Sequence, residues 1–464
     1  MSHLLADAFR ADPRVLEARR LILEALADHQ AEIRGIRGPE PGLQTTYEEL
    51  VTSFGELRGG PLFYPYLGSG FGRGPLVELA DGSVKYDFIS GIGVHHWGHS
   101  HPLAVDAALD AALRDTIMQG NLQQNLESHG LAKILLDTAD AGGAELKHCF
   151  LCTSGAMANE NALKLLFHKK PTAERVLAFE GCFAGRTMVL SQVTDKPAYR
   201  EGLPCLIPVD YIPFFDPSLP DESRHASTDR LKRYLSRYPG RYAGMFFELV
   251  QGEGGFNVGT RDFFVELMEV LEDAGVPIVL DEVQTFGRTT EPFAFRHFGL
   301  DRFVDIVTVG KVTQVCATLF KGELKPSAGL LSQTFTGATA SIFAARAMIS
   351  VMMSSGLFGP EGRNASLHAH VVERLEDVSS RNPGLVKGPY GIGGMVAFTP
   401  FDGDAEKVKA LIHTLFREGV IAFSCGSAPT RVRFLLPTPV LTYDHIDEVM
   451  EVLERSLKYV ARET

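Results

Sequence analysis

The sequence lacks both a hydrophobic segment long enough to cross a membrane and an excess of basic residues. No stretch approaches the roughly twenty apolar residues that a transmembrane helix requires. The formal net charge is -12, which opposes nonspecific binding to nucleic acids and to anionic membranes. The start of the chain carries acids among its apolar residues and has no basic region before an apolar core, unlike a secretory signal peptide. We therefore expect a cytoplasmic protein with no nucleic-acid or membrane partner.

Cysteine is also sparse, with six residues in a chain of 464. This number predicts reduced, mostly buried thiols and not a disulfide framework. Only Cys149 and Cys152 have the CxxC spacing of metal-binding and redox motifs. Phe150 and Leu151 between them indicate a β-strand, and the second ligand pair of a zinc site is missing. We expect no metal site there.

Length and hydrophobic pattern predict an α/β fold with more than one lobe. A chain of 464 residues exceeds what one hydrophobic core usually serves. From about residue 100, short continuous apolar runs alternate with segments of helical periodicity. This alternation is typical of a parallel sheet covered by helices on both faces. The predicted strands are 175–179, 244–249, 276–280 and 305–309.

Local composition and hydrophobic periodicity also predict where the domains divide. A helix is predicted to begin at Asp12 and Pro13, with Asp as the cap and Pro in the first turn. Residues 35–75 are rich in Gly and Pro, and we expect them to be irregular. They either wrap over a surface or another subunit, or they form a plain linker. The predicted segments are 1–100 (N-terminal helix and wrapping segment), 101–345 (large domain) and 346–464 (small C-terminal domain).

The candidate functional residues follow predicted strands, because ligands of doubly wound sheets gather at the C-terminal ends of the strands. One strand runs into Asp281 and a later one into Lys311. Buried Asp and Lys residues often pair for structural reasons alone. However, Thr153–Ala156 are small residues before a predicted helix at 158–170, a pattern that favours phosphate binding by backbone N–H groups. Phe183, beyond another strand, either stacks on a flat cofactor or belongs to the core.

Six stretches resemble, in the same order, those of the class III aminotransferases, which are fold type I enzymes that use pyridoxal 5'-phosphate (PLP). The stretches are CTSGAMANENALKL, CFAGRT, ELVQGEGG, DEVQTFGRT, GKVTQVCA and QTFTGA. The resemblance extends from DFISGIGVHHWGHSHP to VRFLLPTP. It implies a transaminase whose large domain has a mostly parallel sheet flanked by helices, together with a smaller α+β C-terminal domain.

The resemblance also implies which residues bind PLP. Lys311 would form the Schiff base and, as a freed amine, carry the proton between substrate and cofactor. Asp281 would keep the pyridine nitrogen protonated, since opposite charges about 4 Å apart attract by roughly 4 kcal/mol at an effective dielectric near 20. Gln284 would hydrogen-bond the phenolic oxygen of the ring. The other implied residues are Ser154, Gly155 and Ala156 at the phosphate, Phe183 over the ring, Glu248, and Thr334 from the neighbouring subunit of an obligate homodimer.

The implied substrates are an amino donor and a 2-oxo acid acceptor, which use one site in turn. Arg433 would bind the α-carboxylate of glutamate or 2-oxoglutarate, and Arg186 would bind the distal carboxylate, because an arginine fork meets a carboxylate with two hydrogen bonds. Glu253 would act as a gate that neutralises Arg433 when a donor presents an amine at its far end. Ile92 would contribute an apolar wall.

The lysine loop, GKVTQVC, resembles the GK-x-TQVC loop of lysine 6-aminotransferases. It predicts lysine or a similar long ω-amino acid as the donor, with acetylornithine, ornithine, 4-aminobutyrate and diamines as alternatives. Met157, Ala184 and Leu249 depart from the family pattern, and the turn after Gln284 is one residue shorter. These departures alter the predicted pocket lining, and donors of such enzymes are distinguished by contacts worth only about 1–3 kcal/mol each.

Two other features of the sequence admit different interpretations. The densest group of potential metal ligands is His95, His96, His99 and His101. The family carries a similar GHxHP turn as structure, and acidic or thiolate partners are not evident nearby, so no metal is predicted. Aminomutases, racemases and decarboxylases share the fold and cofactor and stay open as alternatives. A noncatalytic scaffold has no physical reason to keep a paired base and acid in a polar cleft.

Overall fold

The computed structural model describes residues 4–463 apart from Thr116, Gly120 and Asn121. The chain forms two compact units, which we call the first unit and the second unit. The first comprises Met1–Arg114, Ser366–Pro389 and Gly394–Thr464, and the second comprises Asp115–Ala365 and Tyr390–Gly393. The N-terminal segment and most of the C-terminal part thus lie in one compact unit. The division into domains at about residues 100 and 345 stays a prediction.

Helices lie throughout both units. In chain order they are α1 (Leu5–Arg10), α2 (Pro13–Gln30), α3 (Pro41–Leu57), α4 (Ser90–Gly93), α5 (Pro102–Ala112), α6 (Leu126–Asp140), α7 (Gly155–Lys169), α8 (Leu190–Val193), α9 (Pro220–Arg237), α10 (Arg261–Asp273), α11 (Ala294–His297), α12 (Thr339–Ser354), α13 (Arg363–Arg381), α14 (Ala405–Glu418) and α15 (Tyr443–Glu463). Among the described residues, no helix combines the length and the apolarity that crossing a membrane would require.

The strands are mostly short. In chain order they are β1 (Gly68–Arg73), β2 (Leu76–Leu79), β3 (Val84–Asp87), β4 (Ile117–Gln119), β5 (Leu146–Cys152), β6 (Arg175–Phe179), β7 (Val209–Ile212), β8 (Tyr242–Phe247), β9 (Val250–Gln251), β10 (Asn257–Val258), β11 (Ile278–Asp281), β12 (Ile306–Val309), β13 (Cys316–Lys321), β14 (Phe335–Ala338), β15 (Val386–Ile392), β16 (Met395–Pro400), β17 (Val420–Ile421), β18 (Phe423–Cys425) and β19 (Arg431–Leu435).

The second unit is built on a seven-stranded sheet in the order β5-β13-β12-β11-β8-β6-β7. β13 is antiparallel to both of its neighbours, and the other strands run parallel to one another. Every residue of β8 and of β12 is buried, so both faces of the sheet are covered. This explains why the predicted strands are continuous apolar runs without alternation.

Helix α10 shows how the sequence pattern covers this sheet. Thr260 begins the helix by accepting a hydrogen bond from the Phe263 N–H at 3.3 Å. The helix leads into β11, which is parallel to β8, so the predicted βαβ unit is present. Burial of each large apolar side chain contributes about 1.5–3 kcal/mol. The buried side chains of α10 are Phe263, Phe264, Leu267, Met268 and Leu271, which repeat at helical spacing.

The first unit contains two four-stranded sheets, in the orders β1-β2-β3-β17 and β15-β16-β19-β18. In the first sheet, β3 pairs in parallel with β17, with Tyr86 opposite Val420. This pairing joins the N-terminal segment to the C-terminal part of the chain, and it explains why the two share one unit. The helices α14 and α15 pack together. Asp404 caps the start of α14, and Gly419 ends it with a left-handed φ of 101°.

The prediction that residues 35–75 are irregular is wrong in part, because α3 occupies Pro41–Leu57. Pro41 stands in the first turn, where the missing N–H of proline costs nothing. Tyr47 and Gly55 of the helix are buried. The Gly and Pro residues that suggested irregular structure lie mostly outside the helix or at its first turn, so the helix-favouring run between them determines the outcome.

Candidate active site

The residues predicted to form the site lie at one edge of the seven-stranded sheet. Glu248 follows β8, Asp281 ends β11, and Lys311 lies two residues beyond the end of β12. Ser154 follows β5, and Phe183 lies beyond β6. These strands are parallel, so their C-terminal ends meet at the same edge, where ligands of doubly wound folds bind. The fold of the second unit thus brings together residues that are far apart in the sequence.

Two hydrogen bonds hold the Asp281 carboxylate at the end of β11. Its Oδ1 accepts from the Val283 N–H at 2.9 Å, and its Oδ2 accepts from the Asn159 side-chain amide at 2.7 Å. Asn159 is itself fixed, because its Oδ1 accepts from the Thr308 hydroxyl at 2.8 Å. Burial raises the pKa of Asp281, whereas the hydrogen bonds and the charge of Lys311 act to lower it. A cation placed against this carboxylate would stabilise its charged form further.

Asn159 is a site residue that the sequence reasoning missed. It is 1% exposed, and its amide nitrogen also donates to the Ala184 carbonyl at 2.8 Å. It therefore links α7 to β11 and to the loop that follows β6. A signal was available, because Asn159 lies four residues after Gly155 and residues four apart share one face of a helix. A polar residue on a helix face that is otherwise buried indicates a specific partner.

Lys311 lies in the turn between β12 and β13. Its backbone is left-handed, with a φ of 53°, a conformation that costs a residue other than glycine about 1–3 kcal/mol. Its carbonyl accepts from the Gln314 N–H at 2.9 Å. In the paired strands Asp281 stands opposite Thr308, so Lys311 follows that position by three residues. The charge of Lys311 acts on the pKa of Asp281, and the two groups therefore interact electrostatically.

The turn after β5 has the features of an anion site. Ser154 Oγ accepts from the Met157 N–H at 3.2 Å and begins the 15-residue α7. The N–H groups of Gly155 and Ala156 have no acceptor among the described residues. A Cβ at Gly155 would lie 2.9 Å from Val283 Cγ1, so this approach requires glycine. Open amides at the start of a helix attract an anion such as phosphate.

Glu248 connects two loops at the same edge of the sheet. Its Oε2 accepts from the Phe183 N–H at 2.7 Å, and its Oε1 accepts from the Gly252 N–H at 3.0 Å. Burial raises the pKa of Glu248 to about 8, and the charge of Asp281 acts in the same direction. The carboxyl therefore fixes the backbone beneath Phe183 and the turn that carries Glu253.

Replacement of Glu248 by glutamine is expected to destabilise the protein near neutral pH and to do so less at alkaline pH. Glutamine offers one oxygen where Glu248 offers two, so its NH2 group faces a backbone donor, at a cost of about 1–3 kcal/mol. The folded-state pKa of Glu248, about 8, lies above its ordinary value. Wild-type stability therefore falls as the pH rises between the two values, because only the folded protein retains the proton there. Glutamine does not titrate, so the variant does not show this fall in stability, and the difference between the two proteins shrinks at alkaline pH.

Urea unfolding at about pH 6 and about pH 9 measures this difference, with each pH on one side of the folded-state pKa. Glu201→Gln is the control, because Glu201 is an exposed acid of the same unit. The expectation is a destabilisation by Glu248→Gln that shrinks at the higher pH while the control changes little. An equal loss of stability at both pH values would contradict the assignment of the raised pKa to Glu248.

Gln284 lies in the turn that follows Asp281. Its Oε1 is buried and has no hydrogen-bond partner among the described residues. A Cβ at Gly252 would lie 2.7 Å from the Gln284 amide, so the two turns meet closely. The amide therefore has bonding capacity to offer a ligand.

Thr334, which is predicted to act across a subunit interface, is exposed immediately before β14.

The predicted substrate-binding residues divide between the two units. In the second unit, Arg186 is exposed in the loop after β6, and Glu253 is partly buried in the turn between β9 and β10. In the first unit, Arg433 is fully buried on β19, with its guanidinium carbon 5.6 Å from the centroid of the Phe423 ring. Ile92, also in the first unit, is 38% exposed and has a left-handed φ of 58°. That conformation is strained for a β-branched side chain.

The histidine cluster has structural partners within the first unit. His99 Nε2 lies 3.0 Å from Asp87 Oδ2, and the His95 ring stacks on His99 with centroids 4.4 Å apart. His101 Nδ1 accepts from the Leu103 N–H at 3.1 Å at the start of α5. In the part of the chain that the structure describes, no three His, Cys, Asp or Glu side chains are grouped to hold a metal ion.

Comparison with known proteins identifies relatives over most of the chain. The family model "Aminotransferase class-III" matches residues 70–457. Acetylornithine aminotransferase of Methanocaldococcus jannaschii is 30% identical over 400 residues, which cover 82% of this chain and 91% of that protein. Acetylornithine aminotransferase 1 of Bradyrhizobium diazoefficiens is 30% identical over 407 residues, which cover 84% of this chain and 92% of that protein. The solved structure of lysine aminotransferase from M. tuberculosis has a TM-score of 0.75 at 24% identity and covers 83% of this chain and 93% of that chain.

The structural likeness confirms the predicted fold type I α/β architecture. The family match confirms the predicted enzyme class and PLP as the cofactor. The predicted closeness to lysine 6-aminotransferases stays a prediction, since the two sequence relatives just named are acetylornithine aminotransferases. The chain belongs to the class III aminotransferases, which are PLP-dependent transaminases.

Proposed function

We propose that this enzyme transfers the ω-amino group of a long amino acid, with lysine favoured, to 2-oxoglutarate in a ping-pong reaction. The observation that carries the proposal is the meeting of Lys311 and Asp281 at the ends of neighbouring parallel strands. A base and an acid at one sheet edge, beside an open helix start, suit amino transfer. Lysine is favoured as the donor because of the GKVTQVC loop around Lys311.

Three features of the site fit PLP. The open N–H groups of Gly155 and Ala156 suit its phosphate. The buried Asp281 suits its protonated pyridine nitrogen, because a cation there would offset the cost of burying the carboxylate. The Gln284 amide, with its unpartnered buried oxygen, has capacity for a polar substituent of the ring. When bound, PLP supplies a ring that withdraws electrons from the substrate carbon.

The chain's own groups then divide the work between them. Lys311 Nζ removes the proton from the amine-bearing carbon of the donor and holds it until it is delivered. The Asp281 carboxylate would keep the pyridine nitrogen of PLP protonated. Phe183 and Glu248 act as a pair, in which the buried carboxyl holds the backbone of the aromatic residue in place. These groups exclude water and keep the reacting atoms in register.

Glu253→Ala is expected to shift donor preference toward α-amino acids by about tenfold in relative kcat/KM. An ω-amino donor carries no carboxylate on the carbon that bears its reacting amine, so the proposed α-carboxylate arginine has no anion to bind. The proposed gate residue, Glu253, neutralises that arginine while such a donor is bound. Without Glu253 the arginine stays charged, which disfavours the ω-amino donor and favours a donor with an α-carboxylate, by about 1.4 kcal/mol for each factor of ten. Comparison of lysine with glutamate as donors measures the shift. Unchanged relative kcat/KM between the two donor classes would count against the gate.

Acetylornithine is the second candidate donor, because the two sequence relatives at 30% identity carry that name. The test is a screen of purified enzyme with 2-oxoglutarate against lysine, acetylornithine, ornithine, 4-aminobutyrate and diamines. Glutamate formation and the absorbance of the bound cofactor are the two readouts. Turnover of lysine above the others supports the favoured donor, and turnover of acetylornithine alone replaces it. Cofactor that never converts to its amine form with any donor would overturn the proposed transamination.

A homodimer with shared active sites belongs to the same proposal. Thr334 is exposed, as a residue that reaches a neighbouring subunit must be before assembly. Light scattering on the purified enzyme measures the mass, and a dimer is expected. Thr334→Ala should then weaken retention of PLP without changing the mass.

A further inference from the structure

The Tyr199 ring contacts two cationic side chains in the second unit. The guanidinium carbon of Arg186 is 3.8 Å from the ring centroid, and Arg186 Nη2 donates to the Tyr199 hydroxyl at 2.9 Å. The ammonium of Lys196 is 4.8 Å from the same centroid. Phe183 meets the ring edge-on, with centroids 6.4 Å apart. Tyr199 thus links the predicted acceptor-binding arginine to the residue predicted to cover the cofactor ring.

Neither cation at this ring has an anionic partner. In the part of the chain that the structure describes, no carboxylate lies within ion-pair distance of Arg186 or Lys196. Other arginines of the same unit are paired, such as Arg175 with Asp210 at 2.7 Å. Acidic residues outnumber basic ones in this protein, whose net charge is -12. Two cations without a carboxylate partner on one ring are therefore not explained by a shortage of acidic residues. Each cation can therefore attract an anionic ligand.

The contacts also orient Arg186. An arginine side chain in solvent has many rotamers, and binding an anion requires it to give up that freedom. The stacked ring and the hydroxyl restrict the guanidinium before any ligand arrives. Of its five N–H donors, only Nη2 is engaged by a described residue. The remaining donors can form the two parallel hydrogen bonds that a carboxylate accepts.

We propose that Tyr199 is a positioning residue that holds Arg186 for the distal carboxylate of a dicarboxylic 2-oxo acid, and that Lys196 adds a second positive charge to that subsite. The inference rests on the proposed function, because it takes Arg186 as the acceptor-binding arginine. It adds the residue that orients Arg186 and the reason why a second carboxylate on the acceptor is selected. The effect acts on acceptor binding, so a nonreacting dicarboxylate is a suitable probe.

Calorimetric titration of the holoenzyme with glutarate, which lacks the oxo group, measures this subsite without turnover. Tyr199→Ala is expected to raise the Kd of glutarate about tenfold, and Tyr199→Phe only about twofold, because phenylalanine keeps the ring under the guanidinium and loses the hydroxyl. Lys196→Ala is expected to raise it about threefold. Tyr238→Ala is the matched control, since Arg175 lies 4.2 Å from the Tyr238 centroid but is paired with Asp210. The control should bind glutarate as the wild type does.

A second readout is the ratio of kcat/KM for 2-oxoglutarate to kcat/KM for pyruvate, which has no distal carboxylate. This ratio should fall about tenfold in Tyr199→Ala, because only the dicarboxylic acceptor uses the subsite. Glutarate binding that is unchanged in Tyr199→Ala, or reduced equally in Tyr238→Ala, overturns the inference. Failure of the proposed function is separate and is recognised by the absence of glutamate formation in the wild type, which glutarate binding does not require.

Discussion

Lys311→Ala is expected to lower kcat for transamination by about 10⁴-fold or more, because the variant loses both the covalent anchor of the cofactor and the base that moves the proton. No other described lysine lies at the C-terminal end of a parallel strand of the same sheet, so no neighbour can replace it. Glutamate formation from any active donor is the measurement. The absorbance of bound PLP should also change, since its attachment to the protein is gone.

Lys321→Ala is the matched control for this variant. Lys321 ends β13, the strand that follows the Lys311 turn, and its Nζ lies 3.2 Å from Asp305 Oδ1. Because β13 runs antiparallel to β12, Lys321 stands at the opposite edge of the sheet. The control should keep near wild-type kcat and lose stability, because the side chains of Lys321 and Asp305 are each only 20% exposed and the substitution leaves Asp305 without its cation. A Lys311→Ala variant with more than about one hundredth of wild-type activity would contradict the role of general base.

Asp281→Asn is expected to lower kcat by about 10³-fold. The substitution preserves shape and removes the charge that keeps the pyridine nitrogen of PLP protonated, and an attraction of roughly 4 kcal/mol corresponds to about three powers of ten in rate. Asp281→Glu should retain more activity than Asp281→Asn, because the charge is kept even if its position shifts. Single-turnover reaction with a donor isolates the affected step.

Glu282→Gln is the control for Asp281→Asn, because it removes a buried carboxylate that is not predicted to contact the cofactor. Glu282 is adjacent in sequence and 1% exposed, but its carboxylate accepts from the N–H groups of Ala294 and Phe295 at 3.0 and 2.8 Å. It therefore holds the first turn of α11. The variant should unfold at lower urea concentration while kcat changes less than fivefold, roughly the effect of 1 kcal/mol. Equal losses of kcat in Asp281→Asn and Glu282→Gln would remove the special role of Asp281.

The adjacent pair Asp281 and Glu282 shows how much of the site can be predicted from the sequence. The apolar run before them predicts a buried strand, and both acids follow at its C-terminal end, so the pattern alone does not select between them. The resemblance selects Asp281, and the hydrogen bonds to Asn159 and Val283 show the setting that makes it suitable. The partner of Glu282 could not be predicted, because α11 lies in a turn region with no periodic pattern.

Tyr199 and Asn159 were missed for different physical reasons. Asn159 lies at helical spacing from Gly155, and this spacing places it on the same helix face. Tyr199 lies in a short 3₁₀ turn, Pro197–Tyr199, and no periodicity indicates which way its ring points. Contacts between loops depend on how the chain returns to the sheet, which no local pattern encodes. Strands buried on both faces were the most predictable elements, because their apolar runs admit few other structures.

The hairpin that carries Lys311 has a consequence for engineering. β12 and β13 are hydrogen-bonded neighbours, with Val309 opposite Ala317 at the base of the turn, and β13 is clamped on its other side by β5. A segment anchored by ladders on both flanks resists rearrangement, so adaptation to two chemically different substrates must come from elements outside it. Libraries aimed at a new amine donor should therefore leave residues 310–315 intact and vary positions outside the hairpin, such as Ile92, the predicted apolar wall, whose side chain is 38% exposed.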